Sequence, residues 1–205
     1  MGKPKKLRKK EHYYRAAKAK GYRARSAYKL KQIAKKHKLL GGVDRVLDLC
    51  SSPGGWTQVL RELDSEIEIV AVDLVPMQAV ERATFIQGDI LSPATVERIR
   101  EMTRGSVDLV VSDCAPKVTG NWDLDVARQL ALVEATLGIG LELLGQSGKV
   151  LTKVFQGSGF QEFLQSVKEQ YQSVRLLKPD ASRRTSAEIY LLATGPLKKS
   201  DRNVD

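Results

Sequence analysis

The sequence predicts an α/β domain with a doubly wound, seven-stranded, mostly parallel sheet, an antiparallel final strand and helices on both faces. Three observations predict it. Short apolar runs alternate along the chain with helix-like segments, the signature of strands joined by helical crossovers. The glycine pair of "DLCSSPGGW", residues 48–56, follows the first apolar run and leads into a helix-like stretch. The last two apolar runs are separated only by "PDASRRTS", eight residues. That is too short for a helical crossover and ample for an antiparallel connection.

Taken in order, a basic segment comes first. "SAYKLKQIAKKHKLL", from Ser26, carries Ala27, Leu30, Ile33 and Ala34 at helical spacing, which predicts an amphipathic helix with a cationic outer face. Strands are expected at 44–50, 67–73, 83–87, 107–113, 148–155, 172–178 and 187–194, and helices at 55–63, 92–104, 123–145 and 158–170. Ser92-Pro93 places a capping serine before a proline at the first helical position. Ser158 and Gln161 match a capping box, and Phe160, Phe163, Leu164 and Val167 then form one apolar face. With no internal repeat or linker, the organisation is a basic arm over 1–20, one domain over 21–195 and an exposed tail over 196–205.

Composition bounds the function. A chain of 205 residues that is 42% apolar can bury one core and is not disordered throughout. No apolar run reaches the roughly 18–20 residues that span a bilayer, and the basic start lacks the apolar stretch of a secretory signal. Gly2 invites a myristoylation reading, which Lys6 contradicts where a hydroxyl residue is needed. Cys50 and Cys114 are too few for a disulfide framework, so two reduced thiols in a cytoplasmic protein are expected. His12 and His37 read as surface residues, no His/Cys cluster has metal-ligand spacing, and no metal is expected.

Charge is unevenly spread. Residues 1–38 hold sixteen Lys or Arg and one acid, Glu11, whereas the remainder holds 18 basic and 23 acidic side chains. Tyr13, Tyr14, Tyr22 and Tyr28 are interleaved with the positive charge. A solvated tail is the plainer reading. A cationic, tyrosine-bearing arm and helix suit a polyanion, with nucleic acid favoured over membrane because the apolar helix face is needed for docking on the body.

In an open α/β sheet, ligands bind beyond the carboxyl ends of the strands. Asp48, Asp73, Asp89 and Asp113 all fall at or near strand ends there, beside Gly54 and Gly55. Any one of them could be a helix cap; four on one rim point to a ligand. Asp73 lies 19 residues after Gly54, the separation at which an acid grips ribose hydroxyls. No G-x-G-x-x-G is present, which counts against a pyrophosphate, and several acids on one rim favour a cation. S-adenosylmethionine combines ribose, adenine and a sulfonium without phosphate.

"DLCSSPGGW", "AVDLVPM", "FIQGDI", "VVSDCAP", "KVFQGSGF" and "SAEIYLLATG" together resemble the FtsJ-like RNA 2′-O-methyltransferases of the ribosomal RNA large subunit methyltransferase E type, over about Gly21 to Gly195. The resemblance implies a Rossmann-like class I methyltransferase that uses S-adenosylmethionine. It also implies a Lys-Asp-Lys-Glu tetrad, which falls on Lys29 in "SAYKL", Asp113, Lys153 in "LTKVF" and Glu188. By the same comparison, Gly54, Trp56, Asp73, Asp89 and Asp113 would contact the cofactor. Cys50 stands where many members have glycine, and "TGNWDLDVARQ" matches only loosely. The implied substrate is a ribose 2′-hydroxyl, with a uridine of 23S ribosomal RNA favoured, bound through residues 1–38 by a monomer.

The residue types suit that chemistry. A 2′-hydroxyl is a poor nucleophile, so positioning carries much of the catalysis and a base must accept its proton. Lys153 is the expected acceptor. An unperturbed lysine is neutral about once in 2,500 at pH 7, a cost of roughly 4.6 kcal/mol. Lys29 and burial would reduce that cost, while Asp113 and Glu188 would orient the ammonium. Plainer readings stand beside these. Lys29 could be one more surface cation, Lys153 could pair structurally with Glu188, and Glu188 could face outward. Trp56 could be core, as could Tyr190 and Phe155. Competing functions are a transfer RNA 2′-O-methyltransferase, a non-catalytic RNA-binding or ribosome-assembly module, an NAD-dependent dehydrogenase and a base-directed amino methyltransferase. "SDCAPK" lacks the D/N-P-P-aromatic sequence of the last.

Overall fold

The computed structural model describes residues 19–183 and 185–197. Most of the basic arm, with Tyr13, Tyr14 and His12, and nearly all of the expected tail lie outside the described residues. Helix α1 spans Ala27–His37, β1 Arg45–Leu49, α2 Gly55–Leu63, β2 Glu68–Asp73 and β3 Ala83–Gln87. Then follow α3 Pro93–Met102, β4 Val107–Ser112, α4 Trp122–Leu143, β5 Leu144–Phe155, α5 Phe160–Lys168, β6 Tyr171–Leu177 and β7 Glu188–Pro196. The sheet order is β3-β2-β1-β4-β5-β7-β6. Strands β1 to β5 pair in parallel, and β7 lies antiparallel between β5 and β6.

Alternation along the strands builds two cores. Leu47 and Leu49 of β1 join Val70, Val72, Val110 and Val150 beneath α3, α4 and α5. Val46 joins Ile69, Leu109, Leu151 and Tyr190 beneath α1 and α2, where Leu30, Ile33, Val59 and Leu60 are buried. Helices therefore cover both faces, which keeps a parallel sheet out of water. Because β1, β2, β4 and β5 run the same way, residues just beyond their ends share one rim with the first residue of the reversed β7.

Three expectations are corrected. Ser92 occupies the N-cap of α3 with proline following, but its side chain makes no capping bond. Ser158 and Gln161 form no capping box: the N-cap of α5 is Gly159, in the left-handed region at φ 76°, so the chain enters the helix one residue later. Cys50 and Cys114 are bonded to each other rather than free. Parallel pairing of Leu49 with Ser112 sets β1 and β4 side by side, and their continuations bring the two Cα atoms to 5.1 Å. Cys50 also has a φ of 57°, in the left-handed region that favours glycine.

Candidate active site

The turn after β1 is tight. Gly54 sits at φ 103°, where a side chain is strained, and a Cβ there would come within 2.7 Å of an Arg23 guanidinium nitrogen. At Gly55 a Cβ would meet Ala24. The close approach that these glycines permit is thus made by the chain itself. Arg23 donates to the carbonyls of Pro53, Gln78 and Ala79, clipping the turn to the loop after β2. Trp56 is only 3% exposed, its Nε1 donates to the Ser26 carbonyl, and its ring packs 5.8 Å from that of Tyr190. It is therefore a core side chain beneath the rim.

Three carboxylates converge at the ends of neighbouring strands. Asp73 accepts from the Ser52 N–H at 2.9 Å and the Val75 N–H at 2.7 Å, which leaves further lone pairs for a hydroxyl. Asp48 is fully buried and accepts from Thr57 Oγ1 at 2.6 Å. Burial, with Asp113 and Asp73 adding to it, pushes its carboxyl up to about 7. Charge of one sign crowded into a desolvated crevice fits a cation, and a sulfonium with an amino group meets that requirement. Asp89 lies past β3, farther along the rim, where its carboxylate accepts from the Leu91 N–H.

On the α1 and α2 face the four residues of the expected tetrad are brought together as two ion pairs. Lys153 Nζ lies 3.1 Å from Asp113 Oδ1 and donates to the Asp113 carbonyl at 2.6 Å. Lys29 Nζ pairs with Glu188 Oε1, and both side chains are mostly buried. Lys153 is thus partnered by Asp113, and Glu188 by Lys29. Tyr190 joins the pairs. Its hydroxyl donates to Asp113 Oδ1 at 2.9 Å, and Lys29 Nζ sits 5.7 Å from its ring centroid. Burial, followed by the nearby Asp113 and Glu188 charges, holds the Tyr190 phenol protonated, well above its ordinary value.

Sequence reasoning placed Asp48 on the rim without its burial, read Tyr190 as core rather than as part of the site, and missed Gln129. Tyr190 lies two residues past Glu188, so strand alternation already placed it on the same face. Gln129 sits at helical spacing from the buried Val126 and Val133 of α4, where its amide donates to the Lys153 carbonyl at 2.6 Å. Among the described residues there is no group of three or more His, Cys, Asp or Glu side chains able to hold a metal ion, and no helix is long and apolar enough to cross a membrane.

A seven-stranded sheet with this reversed strand, and a cation-seeking rim beside paired lysines, define a Rossmann-like methyltransferase that uses S-adenosylmethionine. The FtsJ-like methyltransferase family model matches residues 22–196. The chain belongs to that family. It is 49% identical over 183 residues to a ribosomal RNA large subunit methyltransferase E of Methanothrix thermoacetophila, covering 89% of this chain and 71% of the relative. The protein of the same description from Archaeoglobus fulgidus is 43% identical, covering 89% and 94%. Among solved structures, a ribosomal RNA methyltransferase of Plasmodium falciparum superposes with a TM-score of 0.77 at 25% identity, covering 87% of this chain and all of that one. A fibrillarin/Nop5p structure, with a TM-score of 0.57 at 19% identity, shares the fold alone; it covers 82% of each chain.

Proposed function

We propose that this protein methylates a ribose 2′-hydroxyl of RNA, with a uridine of large-subunit (23S) ribosomal RNA as substrate. The observation that carries the reading is the convergence of Lys29–Glu188 and Lys153–Asp113 around Tyr190 at the rim where the cofactor fits. The names of the relatives support the ribosomal substrate. S-adenosylmethionine supplies an electrophilic methyl group on a sulfonium. Backbone at Gly54, the Asp73 carboxylate and Asp113 would hold it, with Asp48 as counter-charge beneath.

The chain's own groups then do three things. Asp113 engages two of the three hydrogen positions of Lys153, through its carbonyl and its carboxylate, and so directs the third toward the crevice. A 2′-hydroxyl placed on that third position donates its proton to the neutral amine as its oxygen is methylated. The ammonium that results is stabilised by the same two Asp113 oxygens. Lys29 and Glu188 form the opposite wall, and their mutual neutralisation leaves Lys29 a hydrogen-bond donor rather than a bare charge. Residues 1–38 supply cations for phosphates, and the protein acts as a monomer.

The test is Lys153→Ala. Methyl transfer to 23S ribosomal RNA is expected to vanish while S-adenosylmethionine affinity, read by calorimetry, stays within a few-fold. Loss of cofactor binding in that variant would make Lys153 a structural lysine. Mapping 2′-O-methyl groups in RNA from cells with and without the protein identifies the substrate. A site lost from transfer RNA alone would replace ribosomal RNA in this reading.

A further inference from the structure

The rim carries a feature that methyl transfer does not use. Trp122 is the first residue of α4 and stacks on Phe155, the last residue of β5, with ring centroids 5.8 Å apart and planes 21° from parallel. Phe155 backs the indole and Gly157 lies against its Nε1 edge, yet Trp122 remains 47% exposed. A flat aromatic surface braced from behind and open in front is a costly thing to leave in water.

Its placement relative to the tetrad is fixed by the sheet. Phe155 follows Lys153 by two residues, about 7 Å along the strand, and is the register partner of Glu188. Trp122 is reached through the loop that leaves Asp113 at the end of β4. Both rings therefore hang from the strands that deliver the reacting groups. The loop is held as well: Asp125 accepts from the Thr119 N–H at 2.8 Å and from its hydroxyl at 2.9 Å. Asn121 caps α4 by accepting from the Leu124 N–H at 3.2 Å. Gln129 of the same helix bonds to the Lys153 carbonyl and the Phe155 N–H. The platform and the base share one rigid frame.

We propose that Trp122, backed by Phe155, is a stacking site for a nucleobase of the RNA strand, beside the nucleotide whose ribose enters the tetrad. The inference rests on the ribose-methylation reading and adds to it the element that sets where along the strand the ribose stops. An uncharged ring face suits the face of a base rather than the phosphate chain, and stacking of this kind is tolerant of base identity. The basic arm would supply affinity and the platform register.

Trp122→Ala and Trp122→Phe are compared with wild type in methylation of 23S ribosomal RNA transcript, with cofactor affinity measured alongside. The expected result is a fall in kcat/KM of roughly tenfold or more in W122A, recovery to within about threefold in W122F, and unchanged cofactor affinity in both. Indole fluorescence provides a second readout, because stacking quenches it and Trp56, the only other tryptophan, is buried. A short single-stranded oligouridylate is expected to quench wild type and to leave W122F unchanged. Equal activity in W122A and wild type, or absence of quenching, overturns the stacking site while leaving the methylation reading intact. A wild-type protein that methylates no ribose but still shows Trp122 quenching by RNA overturns the methylation reading instead.

Discussion

Asp48 shows how much one carboxyl can report. Buried beneath the glycine turn, it titrates near 7 instead of 3.8, so the folded protein holds this proton more tightly than the unfolded chain does. For this group alone, stability is full below about pH 4, declines as pH rises from there to about 7, and is lower by up to about 4 kcal/mol beyond. Asp48→Asn keeps an acceptor for Thr57 and is expected to flatten that decline in urea unfolding followed from pH 5 to 8. A profile parallel to wild type would contradict the placement. A bound cation favours the carboxylate, so S-adenosylmethionine affinity is expected to rise with pH across the same window in wild type and not in the variant. In the sequence, Asp48 was legible as a rim acid, but nothing in "VLDL" showed how deeply it lies. Lys29 was harder. It precedes Leu30 by one residue and Ile33 by four, so its helix face was readable, yet fifteen other cations in the same 38 residues masked it.

At the scale of elements, β5 outlasts its neighbour. The last parallel pair with β4 joins Ser112 to Thr152, and beyond it the strand's inner edge has no strand partner. Gln129 takes over, donating to the Lys153 carbonyl at 2.6 Å and accepting from the Phe155 N–H at 3.0 Å. Gln129→Leu strands the Phe155 N–H and leaves the Lys153 carbonyl with only the long Thr152 hydroxyl bond at 3.4 Å, at a cost of about 1–3 kcal/mol for the stranded group. Chemical denaturation is expected to show that loss. Single-turnover methyl transfer is expected to slow roughly tenfold as Lys153 loses its alignment, with cofactor affinity retained. Unaltered stability would mean that the amide does not substitute for a strand. The extents of α2 and β3 matched the pattern of apolar residues closely, because each is bounded by unambiguous turn or cap residues. Helix ends were less legible: Gly159 displaces Ser158 as the cap of α5 because backbone conformation, not hydroxyl chemistry, starts that helix.

For the whole molecule, charge asymmetry and topology matter most. Nine of the sixteen N-terminal cations lie in residues 1–20, and each phosphate that they neutralise steepens the salt dependence of binding. Removing residues 1–20 is expected to weaken RNA binding and flatten its slope against salt, measured by filter binding between about 50 and 200 mM salt. An unchanged slope would leave the arm without this role. The doubly wound sheet and its reversed final strand were readable from alternation and from one short connection. Which carboxylate pairs with which lysine was not, because partner choice depends on the lateral position of α1 over β7, a long-range packing outcome.

The insertion of β7 between β5 and β6 carries a consequence for biosynthesis. Lys29 and Glu188 are separated by 159 positions, and Glu188 opens the strand that comes last in the fold. On the proposed reading, the fourth residue of the tetrad is thus the last that synthesis supplies. A chain cut short before that strand lacks, on the same reading, one of the two ion pairs and is expected to transfer no methyl group.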